Sequence, residues 1–205
     1  MKRFTSCIGR FLQAMTAALL LLLLLPLFLL IALLIKLTSR GPVFFISSRI
    51  GLNGKPFQFC KFRTMRHNAE GELEHLVQKT PDALAHWQTF SKLKHDPRIT
   101  SVGRFLRKTS LDELPQLWNV LHGDMNFIGP RPSIEFERER YGTALEKILS
   151  VKPGITGLWQ VSGRNDLPFQ KRVELDLYYV EHQSLPMDIG ILFKTVREIL
   201  AAHGK

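Results

Sequence analysis

Asp112 and Glu113 stand side by side in RKTSLDELPQLWNVLHGDMNFIGPRP, residues 107–132. Arg107 and Lys108 precede the pair and Arg131 follows it. Adjacent carboxylates can share a hard Mg²⁺ ion, which takes few protein carboxylates and completes its coordination with substrate phosphate oxygens. Guanidinium groups bind the same phosphates through forked, charge-assisted hydrogen bonds. An ionised carboxylate can also act as a nucleophile. Together these residue types point to phosphoryl-group transfer, with covalent catalysis by the carboxylate as an option. Sequence spacing does not itself bring the parts together in space.

A plainer account of the pair stands beside this one. Ser110-x-x-Glu113 ahead of an apolar run reads as a capping box, with acids complementing a helix dipole. Pro115 would then fall in the first turns, more easily if Asp112 itself caps. A helix N-terminus would also hold Asp112 ionised. Both accounts expect a helix over LPQLWNVLHG, closed by Gly123 in a left-handed cap. GPRP, residues 129–132, is a rigid turn that can aim Arg131. Lys61, in KFR at 61–63, is either a solvated edge or an anion contact. Asp176 and Asp188, on or near the late helices, read as surface or capping acids.

The elements that must carry these residues are legible from pattern. Residues 42–65 read as a hairpin, with Asn53-Gly54 as the turn and Phe57 and Phe59 alternating with Gln58 and Cys60. Residues 66–80 are polar. From Pro81, Leu84, Trp87, Phe90 and Leu93 recur at helical spacing. VGRFLRKTS is a basic amphipathic run, and 133–149 reads as a charged helix. Residues 152–166 form a turn-rich loop with one short strand. Helices are expected over 168–183 and 186–202, the second amphipathic.

Composition narrows the partners. The 205-residue chain carries 28 basic and 18 acidic residues, with a pI near 9.9. Such a surplus favours an anionic partner. Nucleic acid is disfavoured, because zinc-finger spacing, RNP-like aromatics and basic repeats do not occur. The two cysteines, Cys7 and Cys60, do not make a disulfide framework. The seven histidines form no ligand-spaced cluster for zinc.

Residues 14–35 carry no charge. About 22 helical residues extend roughly 33 Å, enough to cross a hydrocarbon core. The run exceeds a signal-peptide core, and no A-x-A site follows it. Lys2, Arg3 and Arg10 precede the run, and Lys36, Arg40 and Arg49 follow it. The positive-inside rule wants both flanks on the cytoplasmic side, which one crossing cannot satisfy. Pro26 near the middle favours a kink. The residues favour a re-entrant helix that dips in, bends at Pro26 and returns; an ordinary spanning helix with a tolerated proline is the alternative.

Over about residues 10–200 the chain closely resembles the bacterial sugar transferase family, the monotopic phosphoglycosyl transferases acting on polyprenyl phosphate. The resemblance is carried by KFRTM (61–65), DPRIT-x-VGRFLRKTSLDELPQLWNVLHGDM (96–125), GPRP (129–132), KPGITGLWQVSGRN (152–165) and ELDLYYV (174–180). It implies transfer of a sugar 1-phosphate from a UDP-sugar to undecaprenyl phosphate, with release of UMP. It implies Asp112 as nucleophile on the sugar-bearing phosphate, Glu113 as the Mg²⁺ partner, and Lys61, Arg107, Arg131 and Asp188 as further active-site positions. The implied fold is α+β and predominantly helical, with a re-entrant N-terminal helix, a small β-hairpin and amphipathic helices at the membrane face.

Residues 1–40 would then be the membrane helix with its flanks, and 41–205 a catalytic domain on the cytosolic face of the bacterial inner membrane. Two departures bear on topology. Leu25-Pro26 stands where the family often has Ser-Pro, and Gln13 where it often has an acid. Asn126 also replaces a common serine. The stretch GLWQVSGRND points weakly to a hexose donor, and the sequence leaves a homo-oligomer open. A non-catalytic, basic membrane-surface scaffold is the alternative function; it accounts for charge and anchor but leaves the acidic pair and GPRP unexplained.

Overall fold

The computed structural model describes residues 7–67, 69, 71–72, 89, 93 and 96–200. The fold is α+β and mostly helical, with two small two-stranded sheets among the described residues. The amphipathic helix expected from Pro81 falls largely outside the described residues.

The apolar N-terminal run forms two helices, α1 (Cys7–Leu23) and α2 (Leu25–Thr38), bent by 60° at Leu24. Pro26 lies in the first turn of α2, where a missing N–H costs no helical bond. Its ring crowds the carbonyl one turn earlier, so the chain turns just ahead of it. Among the described residues no single helix is long and apolar enough to cross a membrane; the bent pair meets that test jointly, by length and composition.

Both ends of the pair are docked on the rest of the molecule. Near the start of α1, the Arg10 guanidinium donates to the carbonyls of Val120 and Leu121 at 2.7 and 2.5 Å. Gln13 Oε1 accepts from the Phe127 backbone N–H at 3.3 Å, so the amide standing in place of a family acid still supplies an acceptor. At the far end, Arg63 donates to the carbonyls of Ser39 and Arg40 at 2.9 and 2.7 Å. Ala17 packs with Phe57, Phe59, Val120 and Met125, and Ile31 and Ile35 pack with Phe62 and Leu106. The opposite faces leave Leu19, Leu22, Leu29, Leu33 and Leu37 more than half exposed.

The expected hairpin is β1 (Phe44–Ile50) and β2 (Pro56–Phe62), antiparallel, with Asn53 and Gly54 at positive φ in the connecting turn. Alternation sends Phe45, Ser47 and Arg49 of β1, and Phe57, Phe59 and Lys61 of β2, to one face. Phe62 faces the other way and packs on Phe28 of α2, with ring centroids 5.1 Å apart. Helix α3 (Ser101–Thr109) begins at Thr100, whose side chain accepts from the Gly103 N–H at 2.9 Å. Gly103 lies against the Thr64 backbone so closely that a Cβ there would fall 1.9 Å from the Thr64 carbonyl oxygen. Only glycine permits that approach.

Helix α4 (Gln116–His122) ends at Gly123, φ +94°, as its sequence foretells. Buried Asn119 fastens α4 to β2, donating to the Gln58 carbonyl at 2.6 Å and accepting from the Cys60 N–H at 3.2 Å. Strands β3 (Asn126–Ile128) and β4 (Gly154–Thr156) pair in parallel; β3 has no counterpart in the pattern reading. The single charged helix expected over 133–149 is instead two short helices, α5 (Arg138–Tyr141) and α6 (Ala144–Ile148), interrupted at Gly142 with φ +54°. Helices α7 (Phe169–His182) and α8 (Leu185–Leu200) fall where expected. Along α8, Leu185, Ile189, Leu192, Phe193, Val196 and Ile199 form an exposed apolar stripe.

Candidate active site

The acidic pair does not cap a helix. Ser110 adopts the left-handed conformation (φ +57°) and closes α3, and its side chain makes no capping bond to the turn that follows. Asp112 and Glu113 lie in the 3₁₀ turn Leu111–Glu113, and Pro115 starts α4 without a side-chain cap. The capping-box reading is thereby corrected: residues 110–115 use their polar side chains elsewhere. Packing of this turn against β2, on which α4 is fixed by Asn119, brings the pair to the hairpin face that carries Lys61.

Asp112 is buried, with 7% of its surface exposed, while Glu113 remains open to water. Burial pushes the Asp112 carboxyl up from its ordinary value, and the charges of Lys61 and Arg107 pull it back down. Lys61 on β2 and Arg107 on α3 are thus the charges that favour its ionised form, together with a hydrogen bond from its own backbone N–H. Glu113 is also pushed up, by desolvation and then by Asp112, against Lys61, Arg131 and Arg164. Water reaching its exposed side chain screens part of that effect. Burial, and then Arg107, lower Lys61 to about 8.

Each cation has its own support. Lys61 Nζ sits 5.2 Å from the Phe45 ring centroid. Arg107 Nε donates to Thr64 Oγ1 at 2.9 Å. The Arg131 guanidinium lies over Trp159 at 5.8 Å from the ring centroid. Arg164, held at φ +49°, donates through Nε to the Gln160 carbonyl at 3.1 Å and through Nη1 to Ser110 Oγ at 3.3 Å. The result is two acids amid Lys61, Arg107, Arg131 and Arg164, an excess of positive charge suited to a phosphorylated ligand.

Asp112 and Glu113 are the two carboxylates at which the Mg²⁺ expected from sequence would have to be held. Among the described residues no group of three or more acidic, histidine or cysteine side chains could cage an ion. Two carboxylates alone are a donor set closer to the habit of Mg²⁺, which keeps its other positions for water and phosphate oxygens, than to that of zinc or calcium.

Lys61, Arg107, Asp112, Glu113 and Arg131 are thus electrostatically linked. Asp188 has a different setting. It lies in the first turn of α8, where its carboxylate accepts from the Tyr179 hydroxyl at 2.9 Å. Asp176, read from sequence as a surface or capping acid, is 2% exposed in α7 and is corrected to a core residue. Its Oδ2 accepts from the Arg131 backbone N–H at 3.3 Å, and burial lifts its carboxyl to about 8.

Sequence reasoning did not single out Arg164 or Arg172, and it named Arg49 only as a basic flank of the apolar run. Arg49 shares the inner hairpin face with Lys61 and lies 5.1 Å from the Phe59 ring centroid; strand alternation could have found it. Arg172 and Asp176 are one helical turn apart on α7, and Arg172 lies 5.2 Å from the Trp159 ring centroid. Their i, i+4 spacing was the available signal.

A family model described as bacterial sugar transferase matches residues 4–202. The chain belongs to the bacterial sugar transferase family. This sugar transferase is 46% identical over 192 residues to the exopolysaccharide production protein ExoY of Rhizobium meliloti, covering 94% of the chain and 85% of that protein. It is 52% identical over 164 residues to the undecaprenyl-phosphate galactose phosphotransferase of Salmonella typhimurium, covering 80% of the chain but 34% of that larger protein. It is 40% identical over 188 residues to the UDP-glucose:undecaprenyl-phosphate glucose-1-phosphate transferase of Klebsiella pneumoniae, covering 88% and 37%. The sugar transferase is accordingly an enzyme.

Proposed function

We propose that this sugar transferase moves a sugar 1-phosphate from a UDP-sugar to undecaprenyl phosphate and releases UMP, beginning assembly of an exopolysaccharide or related surface glycan. The observation that carries the reading is buried Asp112 beside Glu113, acted on by Lys61, Arg107, Arg131 and Arg164. The relatives named for galactose and glucose transfer support a hexose donor.

Asp112 is the nucleophile. Its carboxylate oxygen forms a bond to the sugar-bearing phosphorus as the bond from that phosphorus to the bridging oxygen breaks; UMP leaves with the electron pair. The phosphate oxygen of the lipid then attacks the same phosphorus and frees Asp112 as carboxylate. Lys61 and Arg107 favour the ionised nucleophile, and Arg131 and Arg164 bind phosphate oxygens. Glu113 and Asp112 would hold Mg²⁺, which supplies charge neutralisation on the diphosphate when bound. Phe45 and Trp159 give Lys61 and Arg131 apolar backing that limits their hydration.

Residues 1–40 serve as a re-entrant membrane anchor and 41–205 as the cytosolic catalytic domain. The 60° bend and the docking of both helix ends on one body support that topology. The exposed stripe of α8 would lie along the same membrane face.

The test is UMP release over a panel of UDP-sugars with Mg²⁺. In the absence of lipid, wild type should release about one equivalent of UMP and gain the mass of a phosphosugar on Asp112. Asp112→Asn should do neither. Near-normal turnover by a folded Asp112→Asn protein would refute the nucleophile. No UMP from any donor would favour the scaffold reading instead.

A further inference from the structure

The turn 129–133 carries Arg131 and is anchored on both sides by backbone bonds. Gly129 N–H donates to the Thr156 carbonyl at 2.9 Å, and Gly154 N–H to the Pro130 carbonyl at 2.9 Å. Beyond Arg131, the Ser133 carbonyl accepts from Ile50 at 2.8 Å. Pro130 and Pro132 have no N–H to give. The N–H of Arg131 is therefore the one backbone donor between Gly129 and Ser133, and it goes to Asp176 Oδ2 at 3.3 Å.

Asp176 is an expensive way to satisfy one N–H. It is 2% exposed, and its Oδ1 meets no hydrogen-bond partner among the described residues. A buried, half-satisfied carboxyl costs stability that a water-accessible or apolar residue would not. Arg172, one turn before it on α7, lies over the same Trp159 ring that backs the Arg131 guanidinium. Arg49, Glu137, Arg140 and Tyr141 are further charged and titratable groups around this layer. This layer converges on a single segment, and that segment aims one arginine.

We propose that Asp176 is a positioning residue for Arg131: by holding its N–H, it sets the direction in which the guanidinium leaves the 129–133 turn over Trp159. This rests on the reading of Arg131 as a contact to substrate phosphate. Because the neighbouring bonds fix the turn without it, Asp176 acts on the aim of Arg131 more than on the fold of the loop. Burial that keeps the Asp176 carboxyl protonated near neutrality is consistent with this, since an amide oxygen should serve as well.

The experiment uses the full-length protein and two measurements: steady-state UMP release, and calorimetric affinity for UDP, which needs no turnover. Asp176→Leu should raise the UDP-sugar KM and the UDP Kd by about tenfold, with kcat within about threefold. Asp176→Ala is the second truncation should leucine not be accommodated. Asp176→Asn keeps an acceptor in place and should stay within about threefold of wild type in every constant. In an Arg131→Gln background the truncation should add nothing further to either constant. Wild-type affinity in a folded truncation, or truncation and Arg131→Gln effects that simply add, would overturn the proposal. Wild type that binds UDP yet releases no UMP would sink the functional reading, while the UDP arm still decides on Asp176.

Discussion

The Nε of Arg107 donates to Thr64 Oγ1 at 2.9 Å, so the last turn of α3 is tied to the residue just beyond the Lys61 strand. Thr64 also accepts, through its carbonyl, the Thr100 N–H that starts the same helix. One residue thus registers both ends of α3 against β2. The Asp112 turn follows α3 immediately, so this register sets where the proposed nucleophile stands. Thr64→Val removes the hydroxyl while keeping shape, and should cost roughly fivefold in kcat/KM with little loss of folded protein. Thr64→Ser should restore most of it. Steady-state kinetics on both variants check this.

Lys61 carries a prediction about alkaline pH. Burial and Arg107 bring it to about 8, so its charge is present below that pH and lost above it. Loss removes a cation that, on the proposed function, offsets the negative charge of the substrate phosphates beside Asp112. UMP release should therefore fall as pH rises through about 8. Lys61→Arg cannot deprotonate in this range, and its residual activity should show no such alkaline limb below pH ~9. A pH–rate profile that keeps the limb in Lys61→Arg would assign it to another group.

Strand and helix existence was legible because it rests on local pattern: the alternation in Phe57–Phe59, the Asn53-Gly54 turn, the glycine after His122. Asp112 and Glu113 were legible as chemistry because their neighbours in sequence are also cations. What failed depended on distant contacts. Ser110 was read as a capping side chain, whereas it closes α3 in the left-handed conformation and its hydroxyl accepts from Arg164, 54 residues away. Asp176 looked like a surface acid because its partner lies 45 residues away in a turn. The parallel strand β3 has only three residues and no periodicity to read.

Asp176 also makes stability depend on pH. Its carboxyl is lifted to about 8 in the folded chain, from an ordinary value of 3.8. Between those values the folded protein holds a proton that the unfolded chain has released. Stability contributed by this group is full below the lower value and is lost as pH rises through the higher one. The slope is at most about 1.4 kcal/mol per pH unit. Asp176→Asn has no proton to exchange, so its Tm should fall less than that of wild type between pH 5 and 8 (a range of roughly three units inside that window). Thermal unfolding in detergent at several pH values measures the difference.

The topology can be read with a native probe. The chain has two cysteines, and Cys7 is exposed at the start of α1. In a Cys60→Ser protein a membrane-impermeant maleimide should reach Cys7 in inverted vesicles but not in intact spheroplasts, if α1 and α2 return to one face. A spanning helix gives the opposite pattern. Pro26→Leu separates the two causes of that return. Were the proline bend alone responsible, Pro26→Leu should move Cys7 to the outer side. But Arg10 grips the α4 carbonyls at one end of the pair and Arg63 grips Ser39 and Arg40 at the other. Arg10 thereby adds donors to the carbonyl end of α4, and Arg63 to the segment just beyond α2. Pro26→Leu alone is therefore expected to leave Cys7 on the cytosolic side, and only its combination with Arg10→Gln should expose a fraction of Cys7 in spheroplasts.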